Sequence, residues 1–145
     1  MIRNCLILTL TLTLINYCLA GNAYYTYEKI DSTLNAWQNE YGSNEHNYYG
    51  QEFGTIYQLE TVGYSSQNSL PIYAVKLSDN SNVEEDEARV LILGQCHSEE
   101  IYGVEISMAI IECFVNPTSC YQNTYIQDRL ENYLSNSLDN IELWV

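Results

Sequence analysis

Val90-Leu91-Ile92-Leu93-Gly94-Gln95-Cys96-His97-Ser98-Glu99-Glu100 is the stretch on which the reading of the fold depends. Four consecutive apolar residues predict a short strand over 90–93 that is covered on both faces. A strand of that kind belongs in the middle of a sheet, and open α/β sheets carry their chemistry at the carboxyl ends of such strands. Gly94 follows where the chain must turn, and an amphipathic run begins after Glu100. His97 and Glu100 are three apart, so one turn of chain can bring both side chains to one point. Zinc takes imidazole nitrogen and carboxylate oxygen at roughly 2.0–2.2 Å, which makes the two residues candidate metal ligands. The competing reading is structural: a strand-end histidine bonded to backbone, with Glu100 favoured at a helix start by the dipole.

Downstream, Val104, Met108, Ile111 and Val115 form one stripe, widened by Ile110 and Phe114, which predicts a helix from Gly103 to about Val115. Asn116-Pro117 ends it. A second helix is expected near 123–136, with Ile126, Leu130, Tyr133 and Leu134 inward and a break at Ser135-Asn136-Ser137. Ile141 to Val145 then reads as a strand, and the helical crossover permits parallel pairing with the strand at 90–93.

Upstream, Tyr27, Ile30, Leu34, Trp37 and Tyr41 share one helical face, with Thr26 as N-cap and Gly42 past the end. Residues 43–54 have no period and read as a loop, and His46 within it reads as a solvated side chain. Thr55–Tyr64 and Pro71–Leu77 are β-rich and are joined by the polar turn 65–69, which predicts a hairpin. Asp79 to Glu87 is an acidic loop without the oxygen spacing or bend glycine of an EF-hand, so a solvated loop is expected there. The elements together predict an α/β fold: a mixed sheet with helices on both faces.

The chain has 145 residues and 46% hydrophobic content, enough for one small domain with a core. A formal net charge of -14 excludes nucleic acid as a partner, because its binders need basic patches. The 14 tyrosines suit half-buried strand and helix faces, and contacts to sugars or peptides. Arg3, the apolar run from Cys5 to Ile15, and small residues Cys18 and Ala20 before Gly21 have the layout of a secretory signal peptide. Residues 1–20 are therefore expected to be removed and 21–145 exported, to the periplasm or outside the cell, with no stable membrane span. Acylation at Cys18 is the weaker alternative, given bulky Tyr17. Cys96, Cys113 and Cys120 remain after that cut. The last two could pair, since export permits disulfides, and Cys96 reads as a small buried hydrophobe.

In its order of segments the chain resembles the zinc metallocarboxypeptidases of the carboxypeptidase A and B type. The run Tyr27 to Leu34 looks like the family's first helix. Tyr57 to Ser65 followed by Leu70 to Ser78 is similar to its hairpin. Arg89 to Glu100 resembles its strand and zinc loop, and Ile141 to Val145 its next core strand. The resemblance implies that His97 and Glu100 are two of three protein ligands to a catalytic Zn2+. It also implies a sheet of about eight strands and hydrolysis of C-terminal peptide bonds in peptide or protein substrates. Zinc there would polarise the scissile carbonyl and lower the pKa of its water, with a separate glutamate as general base.

Two departures from the family are visible. Where members often carry an arginine two residues after the first ligand, this chain has Glu99, which cannot attract a C-terminal carboxylate. The family's third ligand, its substrate-clamping residues and its base lie beyond the strand at 141–145, so the chain is expected to be an N-terminal part. Alone it should be inactive and poorly stable, with an apolar edge at Ile141–Val145. Rival readings are a non-catalytic secreted peptide- or sugar-binding module and a related zinc deacylase or amidohydrolase.

Overall fold

The computed structural model describes residues 24–43, 46–48, 51–120 and 124–145. Residues 1–20, expected as a signal peptide, lie outside them. In chain order the elements are α1 (Tyr27–Tyr41), β1 (His46–Tyr48), β2 (Gln51–Phe53), β3 (Tyr57–Tyr64) and β4 (Pro71–Leu77). These are followed by β5 (Ala88–Leu91), α2 (Ile101–Val115), α3 (Pro117–Cys120), α4 (Thr124–Leu138) and β6 (Ile141–Trp144).

Helix α1 starts where its capping residue places it. The Thr26 hydroxyl accepts from the Lys29 N–H at 3.3 Å, satisfying one free donor of the first turn. Its apolar face buries Leu34 and rests Ile30, Trp37 and Tyr41 on the core. The segment 43–54, expected as a loop, contains the small antiparallel ladder β1–β2. Three-residue strands are too short to leave a readable period.

The main sheet has four strands in the order β3-β4-β6-β5. Strands β3 and β4 form the expected hairpin, with a register shift between Thr61 and Gly63 that leaves Val62 bulged. Asn68 and Ser69 take positive φ in the turn joining them. Strand β6 pairs antiparallel with β4 and parallel with β5, the pairing that the helical crossover permits. The outer edge of β3 is partly closed by α1: the Leu59 N–H donates to the Gln38 side-chain oxygen at 2.6 Å.

The core lies on one side of this sheet. Tyr57, Val75, Leu77 and Leu143 meet Leu34 of α1, Met108, Ile111 and Val115 of α2, and Leu134 and Leu138 of α4. Each such aliphatic side chain contributes about 1.5–3 kcal/mol when taken from water. The Tyr57 hydroxyl donates to the Leu34 carbonyl at 3.0 Å, so the buried phenol has a partner. Burial pushes its pKa up. The disulfide Cys113–Cys120 ties α2 to α3, with Cα atoms 5.5 Å apart.

Several expectations are corrected. Among the described residues the helices cover one face of the sheet, not both. The other face carries Lys76, Glu142 and Arg89 under the segment 79–87. The strand expected at the centre and covered on both sides is instead at the edge. It runs Ala88–Leu91, and all of its residues are exposed. An apolar run records a need for cover, but it does not say which element supplies it. The strand at Ile141–Trp144, expected as an open edge, is interior, with Leu143 buried between β4 and β5. Ser135 to Ser137 continue α4 rather than break it, and Ser135 is buried. Tyr133, expected inward, is 61% exposed, whereas Leu134 is buried as expected. The side chains of Ile126 and Leu130 lie outside the described set.

Candidate functional site

The loop carrying His97 and Glu100 is held from both ends. β5 delivers the chain upward, and the Ile92 N–H donates to the Trp144 carbonyl at 2.7 Å, extending the parallel ladder past the strand. Gly94 then passes directly against the first turn of α2. A Cβ built on Gly103 would sit 1.6 Å from the Gly94 carbonyl oxygen. One on Gly94 would sit 2.8 Å from the Ser107 hydroxyl oxygen. Glycine at both positions is what lets the two backbones approach this closely.

Between these glycines the chain makes one turn, with the Glu100 N–H donating to the His97 carbonyl at 3.1 Å. Glu100 occupies the N-cap position of α2 yet makes no capping bond. Its carboxylate turns back instead. One oxygen accepts from the His97 N–H at 3.2 Å, and the other lies 2.8 Å from His97 Nδ1. The two predicted ligands are therefore brought together. The first structural alternative, a histidine bonded only to backbone, does not describe them, nor does a glutamate serving the helix start. The bond from the His97 side chain holds the Glu100 carboxyl below the usual carboxylate range, helped by backbone N–H groups of His97 and Cys96.

Both side chains face solvent, at 68% exposure for His97 and 47% for Glu100. Tetrahedral zinc bonded at roughly 2.0–2.2 Å places adjacent donor atoms a little over 3 Å apart. The imidazole and carboxylate need only a small rotation to reach that spacing, so the pair fits two positions of such a site. Among the described residues no further histidine, cysteine, aspartate or glutamate completes a three-donor cluster with them. Cys96, expected buried, is exposed and free. His46 falls in β1, and its side chain lies outside the described set.

The described cluster that does bring three such groups together is Asp79, Glu85 and Glu87, with one oxygen from each within 4.8 Å of the others. All three are half-buried rather than solvated, and one oxygen each of Glu85 and Glu87 is enclosed without a partner. Burial raises the Glu87 pKa, and the neighbouring Asp79 and Glu85 charges raise it further. The sequence showed the acidic run but not its inward turn. That turn follows from the Lys76 ammonium beneath, which donates to the Val83 carbonyl at 2.6 Å and draws the segment down onto the sheet.

On the same helix-free face, Glu142 forms a buried ionic centre that sequence reasoning missed. It lies 2.9 Å from Lys76 Nζ and 2.6 Å from Arg89 Nε. Burial by itself would raise its pKa, but the bonds from Lys76 and Arg89 outweigh this and lower it to about 2. The one available signal was a charged residue inside each of three apolar strands: Lys76, Arg89 and Glu142.

No helix of the described residues is long and apolar enough to cross a membrane. Comparison of the sequence with protein-family models found no match, and none was found among curated proteins.

Proposed function

We propose that this chain carries two ligands of a zinc hydrolase of the carboxypeptidase type, His97 and Glu100, on a loop at the carboxyl end of a parallel strand. The observation that carries the reading is the turned-back carboxylate of Glu100, 2.8 Å from His97 Nδ1 in a solvent-facing loop. A carboxylate at the start of a helix is ordinarily used on the helix's own N–H groups. Here it is aimed at an imidazole, so two metal donors converge. The parallel β5–β6 pair and the antiparallel hairpin are compatible with the larger mixed sheet that the resemblance implies. In this reading the third ligand and the general base lie outside the described residues. Bound zinc would supply Lewis-acid polarisation of a peptide carbonyl. The peptide substrate and the exported location belong to the same proposal. Glu99 beside the pair disfavours capture of a free C-terminal carboxylate by this loop.

Two measurements test it. Zinc titration of the chain, followed by competition with a chromophoric chelator, should show weak uptake that falls at least tenfold in both His97→Ala and Glu100→Ala. Equal uptake in all three proteins would remove the loop as a zinc site. The second check is the gene itself: a reading frame that continues past Val145 should encode a histidine ligand and a glutamate base. A frame that continues without them would sink the carboxypeptidase reading.

A further inference from the structure

The helix-free face of the sheet holds a cavity of about 310 Å³ beneath the segment 81–84, alongside Arg89 of β5 and Trp144 of β6. Its floor is the buried Lys76–Glu142 pair, and its walls include Gln58, Glu60, Asn82, Arg89 and the half-buried indole of Trp144. Small-molecule sites start at about 300 Å³ and combine an apolar wall with a few convergent polar groups. This cavity has the convergent polar groups, and its apolar surface comes from Val83 and Trp144.

Charge narrows the ligand class. Lys76 donates to Glu142 and to the Val83 carbonyl. Arg89 is engaged by Glu142 through Nε and by Glu84 through a terminal nitrogen. The ionic groups of the floor therefore largely neutralise one another. An anionic ligand would meet Glu60, Glu84 and Glu142, and a cationic one would meet Lys76 and Arg89. Both kinds of uncompensated hydrogen-bonding capacity remain. An ammonium has three N–H groups and a guanidinium five, of which the described residues use two each here. Gln58 donates to one Glu60 oxygen at 3.0 Å, which leaves its own amide oxygen and the second Glu60 oxygen as acceptors. Asn82 offers one donor group and one acceptor group.

From this we propose that the cavity binds a neutral polyhydroxylated ring, a single saccharide unit. Hydroxyls both donate and accept, so they match a mixed array of donors and acceptors whose ionic groups are largely paired with one another. The C–H face of a pyranose lies on the apolar face of an indole, which Trp144 supplies. The site does not rest on the His97 loop and stands or falls separately from it.

Trp37 is the other tryptophan, so Trp37→Phe makes Trp144 the sole indole reporter. Emission of that variant is titrated with the methyl glycosides of glucose, mannose, galactose and N-acetylglucosamine. At least one should give a saturable change, weakened tenfold or more by Asn82→Ala and unchanged by His97→Ala. Amide NMR of the unsubstituted chain should place the same ligand's shifts at 58–60, 81–84 and 144. Glucuronate and glucosamine should bind at least threefold more weakly than the neutral glycoside. The proposal is overturned by no saturable response to any of the four glycosides. It is equally overturned by a charged sugar binding more tightly, or by shifts that fall elsewhere.

Discussion

At its N-terminal end, β5 places Arg89 on a carboxylate, Glu142, that is 1% exposed and already paired with Lys76. At its C-terminal end the same strand leads to His97 and Glu100, which pair with each other in solvent. Both ends hold a nitrogen–carboxylate contact of similar length, 2.6–2.9 Å, yet they differ in every consequence. The buried cluster has each charge answered by a partner, and a charge there without its partner is strongly destabilising. The exposed pair is surrounded by high-dielectric water and screened by salt, so it contributes little to folding. What it retains is freedom to rotate, and lone pairs that another group can take. Stability resides at one end of the strand and availability at the other.

The sharpest way to break that contrast is Glu142→Gln. It leaves Lys76 buried without a counter-charge and should cost about 3–5 kcal/mol, read as a fall in the denaturant midpoint with unchanged slope. If the midpoint moves by less than a third of this, the cluster is not the keystone of the open face. Acid should act on the same group. Its folded pKa is lowered from 4.5 to about 2, so its contribution is complete above about pH 4.5 and is lost as pH falls toward 2. In Glu142→Gln that segment of the stability–pH curve should flatten.

Gly103→Ala comes next. The new methyl meets backbone at Gly94, not the end of a flexible side chain. Overpacking of that kind costs about 1–3 kcal/mol. Because the contact anchors the loop, zinc uptake should fall along with thermal stability. Retained uptake would show that the His97 turn is set by its own hydrogen bonds. The smallest effect is expected from Glu100→Gln: no measurable change in denaturation midpoint, together with a clear loss of zinc uptake. A midpoint shift comparable to that of Glu142→Gln would make Glu100 a structural residue and erase the contrast between the two ends.

Local pattern carried much of the reading. The period of Tyr27 to Tyr41 and its Thr26 cap, the hairpin 57–77 and the amphipathic stripe ending at Val115 are visible in sequence. Each is decided by residues close to one another. So was the convergence of His97 and Glu100, since a three-residue spacing within one turn leaves few alternatives. Where the cover of a strand comes from a distant part of the chain, sequence reading failed. Val90 and Leu91 read as central and proved to be an exposed edge, and Leu143 read as an edge and proved interior. Tyr133 failed for the same reason, because its ring can serve either a wet or a dry face.

By itself, then, the sequence determined the helix Tyr27–Tyr41, the helix ending at Val115, the hairpin, the possible parallel return at Ile141 and the two candidate metal donors, all through spacing and capping within short windows. Only the tertiary structure decided strand order, the one-sided packing of the helices, the close passage of Gly94 against Gly103 and the burial of Lys76 with Glu142. Those depend on which faces meet across tens of residues. A charged side chain in an apolar strand becomes tolerable only once its partner has been brought to it from another strand.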